Sequence, residues 1–460
     1  MLDLYDSFKQ SSIPLLLLVL FFISDDDFTD TSFISYQHSK EISISASPQV
    51  YVVLAADFDS PTSIANYGVL TPLTAFIWHR IFNVTPIVML GTREPGRITT
   101  VTEAAIARLI RRAGGRIHCI STRDSTENGS GVALPSNLVG AKLMTALQVS
   151  RIASIALWYL KDDDIIITSD ADIWPLSKKF WYKHLTNLLD PLNEELFIYN
   201  GPFFHGQQQI KDCNFVALTS IAAKTRIWRE TLSVWFDSLQ YAPSPRESFC
   251  VYPNTKDNIP MPILPWYYET EKNLYVGNIS GGYDVNLNSL LFSDLLKFFL
   301  EQGQHFFGQS VWEKEIWYNG ASYKLRRIWD YDQVLVAEMI IAANSSLNVN
   351  NDLRRLDKFG TRDKESDYLA VVSGKSVEDF TDTHLDSIED KTWWRLQSIW
   401  SFVFDETTSH SLLSESQAFL RDVRSLFDGL HGTDDDKIRG TLFFQDDVDQ
   451  QEWMGPCDNV

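Results

Sequence analysis

The sequence predicts an α/β protein built on a mostly parallel, doubly wound β-sheet. Strand and helix patterns alternate at the spacing of β-α-β units over residues 49–172. The runs Gln49–Ala56 and Ile165–Thr168 are rich in apolar and β-branched residues, which is typical of strands buried on both faces. A chain of 460 residues is long enough for one large α/β domain with additions, or for two domains.

The first half is the more regular part of the chain. It is predicted to contain strands at 49–56, 86–90, 116–120 and 165–168, and helices at 67–83, 102–113 and 138–160. The second of these helices ends at Gly114-Gly115, a common helix stop. No Gly-x-Gly-x-x-Gly follows the first strand, which disfavours the usual dinucleotide-binding fold.

The second half is less regular and contains a long loop region over 242–285, rich in Pro, Tyr and Gly. Strands are predicted at 195–199 and 215–219, and helices at 220–239, 287–300, 333–343, 391–404 and 411–428. The predicted organisation has three parts. They are an N-terminal segment and stem at 1–48, a catalytic domain at 49–345, and a helical extension at 346–460 that ends in an acidic, mobile tail.

The N-terminal segment carries an eleven-residue apolar run, Ile13–Ile23. About twenty residues are needed to span a bilayer as a helix, so this run suits a signal peptide or a short signal anchor better. A buried helix is the alternative interpretation. Residues 24–48 are acidic and rich in Ser and Thr, as expected of a stem or linker.

Net charge, sequons and cysteines limit which partners and which cellular compartment the sequence predicts. The formal charge of −20 argues against nucleic acid as a partner, although a bound cation would still allow a nucleotide ligand. Four N-glycosylation sequons support passage through the secretory pathway; they begin at Asn83, Asn128, Asn278 and Asn344. Cys119 lies in a predicted strand and is expected to be a buried thiol, whereas Cys213 with Cys250 is the disulfide pair to test first.

Two carboxylates, Asp170 and Asp172, come directly after the predicted buried strand 165–168. They point the same way if strand geometry persists, because side chains alternate along a strand. Ligands of open α/β sheets bind beyond the carboxyl ends of the strands, and a carboxylate pair there suits a hard divalent cation with a diphosphate. Other Asp-x-Asp pairs, such as Asp162/Asp164, do not both follow a buried strand and precede Ile-Trp-Pro directly, as Asp170/Asp172 do.

This motif and the order of elements over 49–345 resemble the GT-A glycosyltransferases with an Asp-x-Asp signature. The resemblance implies a Rossmann-like nucleotide-binding half, an irregular acceptor half, and Mn²⁺ or Mg²⁺ as cofactor. It further implies a nucleotide-sugar donor, with a UDP-sugar favoured, and a carbohydrate or glycoconjugate acceptor. By the same resemblance, Asp172 would bind the metal directly, and Asp170 would reach it through water or contact the donor. The implied location is the Golgi lumen as a type II membrane protein, with secretion as the alternative.

Further candidate residues follow from the same layout. Asp57 and Asp59 follow the first strand and would contact the nucleoside, or form a plain strand-end turn with Ser60-Pro61. Asp332, with Asp330 as a second candidate, lies where a general base for an inverting transfer is expected. The alternative for Asp332 is a helix N-cap, and the helix dipole is expected to lower its pKa.

By the same resemblance, His384, a histidine late in the chain, is expected to complete the metal shell, and neutral imidazole is a good ligand for manganese-like cations. His205 is a weaker candidate for that role, and either histidine could instead be an ordinary surface or core residue. Gly281 and Gly282 would allow close approach of the backbone to the donor, or form a simple turn.

Two other functions compete with glycosyl transfer. A sugar nucleotidyltransferase is one, but its Gly-rich phosphate loop is expected after the first strand, where Asp57-Phe-Asp-Ser-Pro stands instead. A carbohydrate-binding protein that keeps the fold without activity is the other.

Overall fold

A computed structural model describes much of the chain from residue 47 onward. The described residues are 47–56, 67–92, 96–121, 132–133, 143–198, 221–241, 249–251, 260–262, 291–307, 331–343, 349–350, 382–385, 388, 390, 393–405, 408–431 and 457–458. The predicted signal or anchor and most of the stem lie outside them. Within these ranges, no helix combines the length and the apolar character that a membrane crossing requires.

The centre of the protein is an eight-stranded mixed sheet. The strands, in chain order, are β1 (Val50–Ala56), β2 (Thr85–Gly91), β3 (Arg116–Ser121), β4 (Val132–Ala133), β5 (Ile165–Thr168), β6 (Ile173–Pro175), β7 (Leu196–Ile198), β8 (Ile221–Lys224), β9 (Phe249–Val251), β10 (Pro260–Pro262), β11 (Val349–Asn350) and β12 (Asp382–His384). The sheet order is β11-β7-β8-β5-β1-β2-β3-β4, and its pairings are parallel except where β8 runs antiparallel to β5 and β7. Two small antiparallel sheets pair β9 with β10 and β6 with β12.

Helices cover both faces of the sheet. They are α1 (Val69–Phe82), α2 (Val101–Arg112), α3 (Leu143–Ala153), α4 (Lys178–Leu188), α5 (Thr225–Tyr241), α6 (Phe292–Phe307), α7 (Tyr331–Ala343), α8 (Trp393–Val403) and α9 (His410–His431). One hydrophobic core lies between one face of the sheet and α1, α2, α4, α8 and α9. A second core lies between the other face and α3, α5, α6 and α7. The predicted α/β class and mostly parallel sheet are therefore confirmed, and the arrangement is compatible with a Rossmann-like fold.

The central strands are apolar on both sides because both faces are covered. In β5, Ile165 and Ile167 enter the first core and Ile166 enters the second, and all three have no exposed surface. The alternation of β1 is the same, with Val52 and Val53 on opposite faces. Continuous apolar runs in the sequence thus reflect two-sided burial, as expected of parallel sheets.

Two predicted elements differ from the structure. Residues 221–224, predicted as the first turn of a helix, instead form strand β8, and helix α5 begins at Thr225. The long helix predicted over 138–160 has described helical bounds at Leu143–Ala153, followed by a short 3-10 turn. In the first case strand pairing with β5 and β7 overrides local helix propensity, because it satisfies backbone groups that burial would otherwise leave unpaired.

The C-terminal part of the chain is integrated with the sheet. Helix α9 packs on α1, β11 pairs with β7, and β12 pairs with β6. Most of the predicted acidic tail lies outside the described residues, but its end is held firmly. Cys457 forms a disulfide with Cys119, and the backbone N–H groups of Cys457 and Asp458 donate to carbonyls of Gly96 and Ile117.

Residues Cys457 and Asp458, with the contacts that hold them, are here called the C-terminal clasp. The expectation that Cys119 is a free buried thiol is wrong, because Cys119 is bonded to Cys457. The sequence gives no local sign of this bond, since the two residues are 338 positions apart. The predicted mobility of the rest of the tail concerns residues outside the described part of the chain and stays a prediction. The predicted pairing of Cys213 with Cys250 lies outside the described residues, since Cys213 is not among them.

Candidate active site

The candidate site lies at the carboxyl end of β5, next to β1 at the centre of the sheet. The helix after β1, α1, packs on one face of the sheet, and the helix before β5, α3, packs on the other. Strands β2 and β5 flank β1 on opposite sides. The strand order therefore reverses between β1 and β5. Such a switch point opens a crevice beyond the strand ends, which is where open α/β sheets bind their ligands.

A tight turn, rather than a continued strand, carries Asp170 and Asp172. Strand β5 ends at Thr168, and the N–H of Ile173 donates to the carbonyl of Asp170 at 3.2 Å to close the turn. The hydroxyl of the buried Thr74 in α1 donates to the carbonyl of Ala171. The expectation that the two carboxylates point the same way required strand geometry to persist, and it does not, because β5 ends two residues before Asp170.

Asp172 contacts His384, the histidine that the sequence analysis selected for the metal shell. The distance from Asp172 Oδ2 to His384 Nε2 is 3.1 Å, across a sequence separation of 212 residues. Strand β6 follows Asp172 at once and pairs with β12, so that Ile173 stands opposite His384. The N–H of Leu385 also donates to the carbonyl of Asp172 at 2.7 Å. Pairing of two short strands thus brings the residues together, and both side chains are largely buried.

Asp170 contacts Arg151 instead, and through it Asp332. The guanidinium of Arg151, in α3, donates to Asp170, to the carbonyl of Ser169 at 3.1 Å and to Asp332 Oδ2 at 2.7 Å. Arg151 is buried, whereas the side chain of Asp170 keeps 31% of its surface exposed. One buried cation therefore holds two carboxylates, one facing the crevice and one facing the core.

Electrostatics differ sharply between the members of this group. Burial raises the pKa of Asp332 to about 6, and the approach of Asp170 adds to that effect, although Arg151 opposes it. Burial also acts to lower the pKa of Arg151, but Asp170 and Asp332 raise it by more, so the guanidinium stays charged. The expectation that the helix dipole lowers the pKa of Asp332 is wrong, because loss of solvent outweighs the field of the helix terminus.

The structure also describes the surroundings of Asp332. Helix α7 begins at Tyr331, so Asp332 lies inside its first turn, where Oδ1 accepts from the N–H of Gln333 at 2.9 Å. Its side chain has no exposed surface. A general base must reach the acceptor hydroxyl directly or through one water. In the structure Asp332 contacts Arg151, which also contacts Asp170, and the general-base role of Asp332 stays a prediction.

Arg151 is the site residue that the sequence analysis missed. It is the single charged residue between Leu143 and Leu160. A lone arginine in an otherwise uncharged, apolar helix indicates a buried cation, and a buried cation requires carboxylate partners. That signal was present in the sequence, but the identity of the two partners depends on how α3, β5 and α7 pack.

The remaining candidate residues lie outside the part of the chain that the structure describes. They are Asp57, Asp59, Asp330, Gly281, Gly282 and His205. Asp57 follows directly on Ala56, the last residue of β1, and β1 neighbours β5. Its nucleoside-binding role, and the roles of the others, stay predictions.

A second Asp-x-Asp pair, Asp162/Asp164, serves as an internal comparison. The carboxylate of Asp164 is buried and accepts from the backbone N–H groups of Gln49 and Lys161, each at 2.9 Å. Asp162 binds Arg229 at 2.8 Å on the surface. This pair precedes β5 and fastens its entry, so it contributes to structure at the edge opposite the crevice.

The donor set at Asp172 and His384 fits a divalent cation in its chemistry. A carboxylate and a neutral imidazole suit manganese-like ions. Among the described residues, however, no cluster of three or more His, Cys, Asp or Glu side chains could hold a metal.

Comparison with known proteins adds no name to this site. No protein-family model, curated protein or solved structure matches the chain.

Proposed function

We propose that this protein is a metal-dependent glycosyltransferase of the GT-A type. It would move a sugar from a nucleotide-sugar donor, with a UDP-sugar favoured, to a carbohydrate or other hydroxyl acceptor. Two contacts at the switch point of the sheet carry the proposal. Asp172 contacts His384, and Arg151 contacts both Asp170 and Asp332. Sequence position alone predicts four of these five residues, all but Arg151, as site residues.

Position argues for a nucleotide ligand. The crevice at a switch point of an α/β sheet is the usual place for a nucleotide. The acidic turn there would repel a diphosphate unless a cation lay between them. A divalent ion held by Asp172 and His384 would remove that repulsion, and its other ligands would come from phosphate oxygens and water.

The bound ion would act as a Lewis acid and neutralise the charge that develops on the leaving nucleoside diphosphate. The protein's own side chains prepare the place for it. The backbone pairing of β6 with β12 holds His384 against Asp172, and Arg151 holds Asp170 in one orientation. Because Asp170 stays partly exposed, it can accept a hydrogen bond from a ribose or sugar hydroxyl of the donor.

Asp332 is assigned as a positioning residue. It contacts Arg151, which contacts Asp170, and the pair of carboxylates leaves the group with a net negative charge when all three are ionised. Loss of Asp332 would therefore loosen Arg151 and alter donor binding without removing a group that touches the donor.

Location in the secretory pathway is part of the proposal. The buried disulfide between Cys119 and Cys457 supports it, because such bonds form and persist in oxidising compartments. The proposed place is the Golgi lumen, with residues 13–23 as a membrane anchor, and secretion is the alternative.

The test is thermal stabilisation of the full chain by a panel of nucleotide sugars with and without Mn²⁺, followed by assay of donor hydrolysis. Asp172→Asn should lower Mn²⁺-dependent hydrolysis by more than roughly 100-fold, since even residues that merely orient metal ligands cost 10- to 100-fold. Asp163→Asn is the matched control, because Asp163 is largely exposed and lies away from the crevice.

Three outcomes contradict the proposal. Wild-type binding of UDP and Mn²⁺ by Asp172→Asn would remove the metal assignment. Formation of a nucleotide sugar from a nucleoside triphosphate and a sugar phosphate would favour a nucleotidyltransferase. Binding of glycans without any donor hydrolysis would favour a non-catalytic protein.

A further inference from the structure

We infer that Asn83 carries an N-linked glycan. It begins the sequon Asn83-Val84-Thr85, and it is the one sequon asparagine that falls within the described part of the chain. Asn83 is exposed and stands between the end of α1 and the start of β2. A sequon alone occurs often by chance, so the inference depends on the surroundings of this one.

The turn at Asn83 leaves its side chain free of structural duty. Its backbone lies in the left-handed region, with φ of 55°, which Asn tolerates better than most residues. The backbone N–H of Asn83 donates to the carbonyl of His79 and that of Val84 to Trp78, each at 3.1 Å. Backbone contacts therefore close the helix, while Val84 is fully buried and anchors the turn. An exposed amide on such an anchored turn can carry a large substituent without disturbing the core.

The position of Asn83 is compatible with an open active site. Asn83 precedes the start of β2, and Thr85 stands opposite Tyr51 near the start of β1. Asp170 follows the carboxyl end of β5, which runs parallel to β1. The glycan and the crevice therefore lie at opposite edges of the sheet.

The disulfide supplies independent support. Cys119 and Cys457 are both buried, so the bond must form while the chain folds in an oxidising compartment. Oligosaccharides are transferred to sequons in the same compartment. The inference rests on the secretory location proposed above and does not depend on glycosyltransferase activity.

The modification would use a lipid-diphosphate-linked oligosaccharide as co-reactant. The side-chain amide nitrogen of Asn83 forms a bond to the anomeric carbon of the oligosaccharide. The bond from that carbon to the diphosphate oxygen breaks, the lipid diphosphate leaves with the electron pair, and one amide proton is released. No oxidant or reductant takes part.

The experiment uses the full chain expressed in a secretory host. After treatment with peptide N-glycosidase, which converts a glycan-bearing Asn to Asp, mass spectrometry of the peptide that contains Asn83 should find Asp at that position. Asn83→Gln and Thr85→Ala should each remove one glycan from the product, seen as one step in mobility. Thr85→Ser is the matched control and should keep the glycan, because Ser also completes a sequon.

Two results would overturn the inference: an unmodified Asn83 in the exported protein, and retention of the whole unglycosylated chain in the cytosol. These results are separable from a failure of the proposed function. A glycosylated protein that ignores UDP and Mn²⁺ removes the function alone, and an active protein with bare Asn83 removes the glycan alone.

Discussion

Two described segments of the C-terminal third of the chain, residues 382–385 and the C-terminal clasp, make two different kinds of contact with the rest of the fold. At residues 382–385 the chain meets the turn after β5, where buried or half-buried charges face one another. At the C-terminal clasp the chain meets β3, where a disulfide and hydrogen bonds hold it. Both contacts join residues that are far apart along the chain, but the chemistry of the two contacts differs.

The clasp binds Asp458 without burying its charge. Asp458 is partly exposed, and its carboxylate accepts from the N–H of Ile117 at 2.8 Å and binds Arg111 at 3.2 Å. His118 donates through Nδ1 to the carbonyl of Asp458 and accepts through Nε2 from the hydroxyl of Tyr159. Burial lowers the pKa of His118 to about 4, so the ring stays neutral.

The contact at the crevice, in contrast, buries charged groups. Asp332 and Arg151 are charged groups with almost no exposed surface, and such groups are costly to bury. An apolar pair would fill the same space at lower cost. The two contacts therefore differ in how they treat charge: the clasp leaves its carboxylate partly exposed, whereas the crevice buries an arginine with a carboxylate.

The largest effect is expected from breaking the charge pair. Arg151→Met should lower the free energy of unfolding by about 3–5 kcal/mol, because it leaves Asp332 buried without a partner. Urea unfolding at neutral pH measures the loss. Adding Asp332→Asn should recover most of it, since the uncompensated charge is then gone. Simple additivity of the two changes would show that the residues are not coupled.

Opening the clasp is the next test. Cys457→Ser should lower the free energy of unfolding by about 2–5 kcal/mol, because the cross-link closes a very long loop in the unfolded chain. Reduction of the wild-type protein with dithiothreitol should reproduce the shift in the urea midpoint. Binding of UDP and Mn²⁺ should be unchanged below the melting temperature. A loss of that binding would contradict the separation of the two regions.

Acid should weaken the clasp through His118. Its folded pKa is lower than its unfolded pKa, so the unfolded chain binds more protons and stability falls as pH drops from about 6.5 to about 4. The loss from this group is at most about 3 kcal/mol, at 1.36 kcal/mol per pH unit. His118→Gln should flatten the stability curve in that window, although Asp458 and Arg116 still face the position. An unchanged slope would show that His118 is not buried as described.

Asp332 should act in the opposite direction and somewhat less strongly, because its pKa is displaced less. Its folded pKa lies above the unfolded value, so the folded state binds more protons and this contribution to stability falls as pH rises from about 4 to about 6. Asp332→Asn should remove that slope while leaving the slope due to His118. Urea midpoints measured at several pH values would separate the two, and slopes of the same sign would contradict the assignment.

Much of the fold was predictable because its signals are local. The runs at 50–56, 85–91 and 165–168 are apolar for the length of a strand, and the helix at 101–112 has both an apolar face and a Gly stop. β8 was not predictable in this way. Its four residues are short and read equally well as a helix start, and pairing on both sides made them a strand.

In the candidate site, too, local features were predictable and long-range partners were not. Asp170, Asp172, Asp332 and His384 were identified from residue type, from position after a strand or at a helix start, and from order along the chain. Their partners were not, because the pairing of β6 with β12 and the packing of α3 against α7 depend on contacts between distant segments. Arg151 shows both sides: its isolation in an apolar helix was visible, whereas its two carboxylates were not.

The sequence by itself determined the alternation of strands and helices, the switch-point carboxylates and the sequon at Asn83, since each depends on side-chain chemistry and spacing within a few residues. Tertiary structure decided which way Asp170 and Asp172 point, that Asp332 is buried with a raised pKa, and that Cys119 is bonded to Cys457. The physical reason is that solvent access and long-range partners set these properties, and both arise only when the chain has packed.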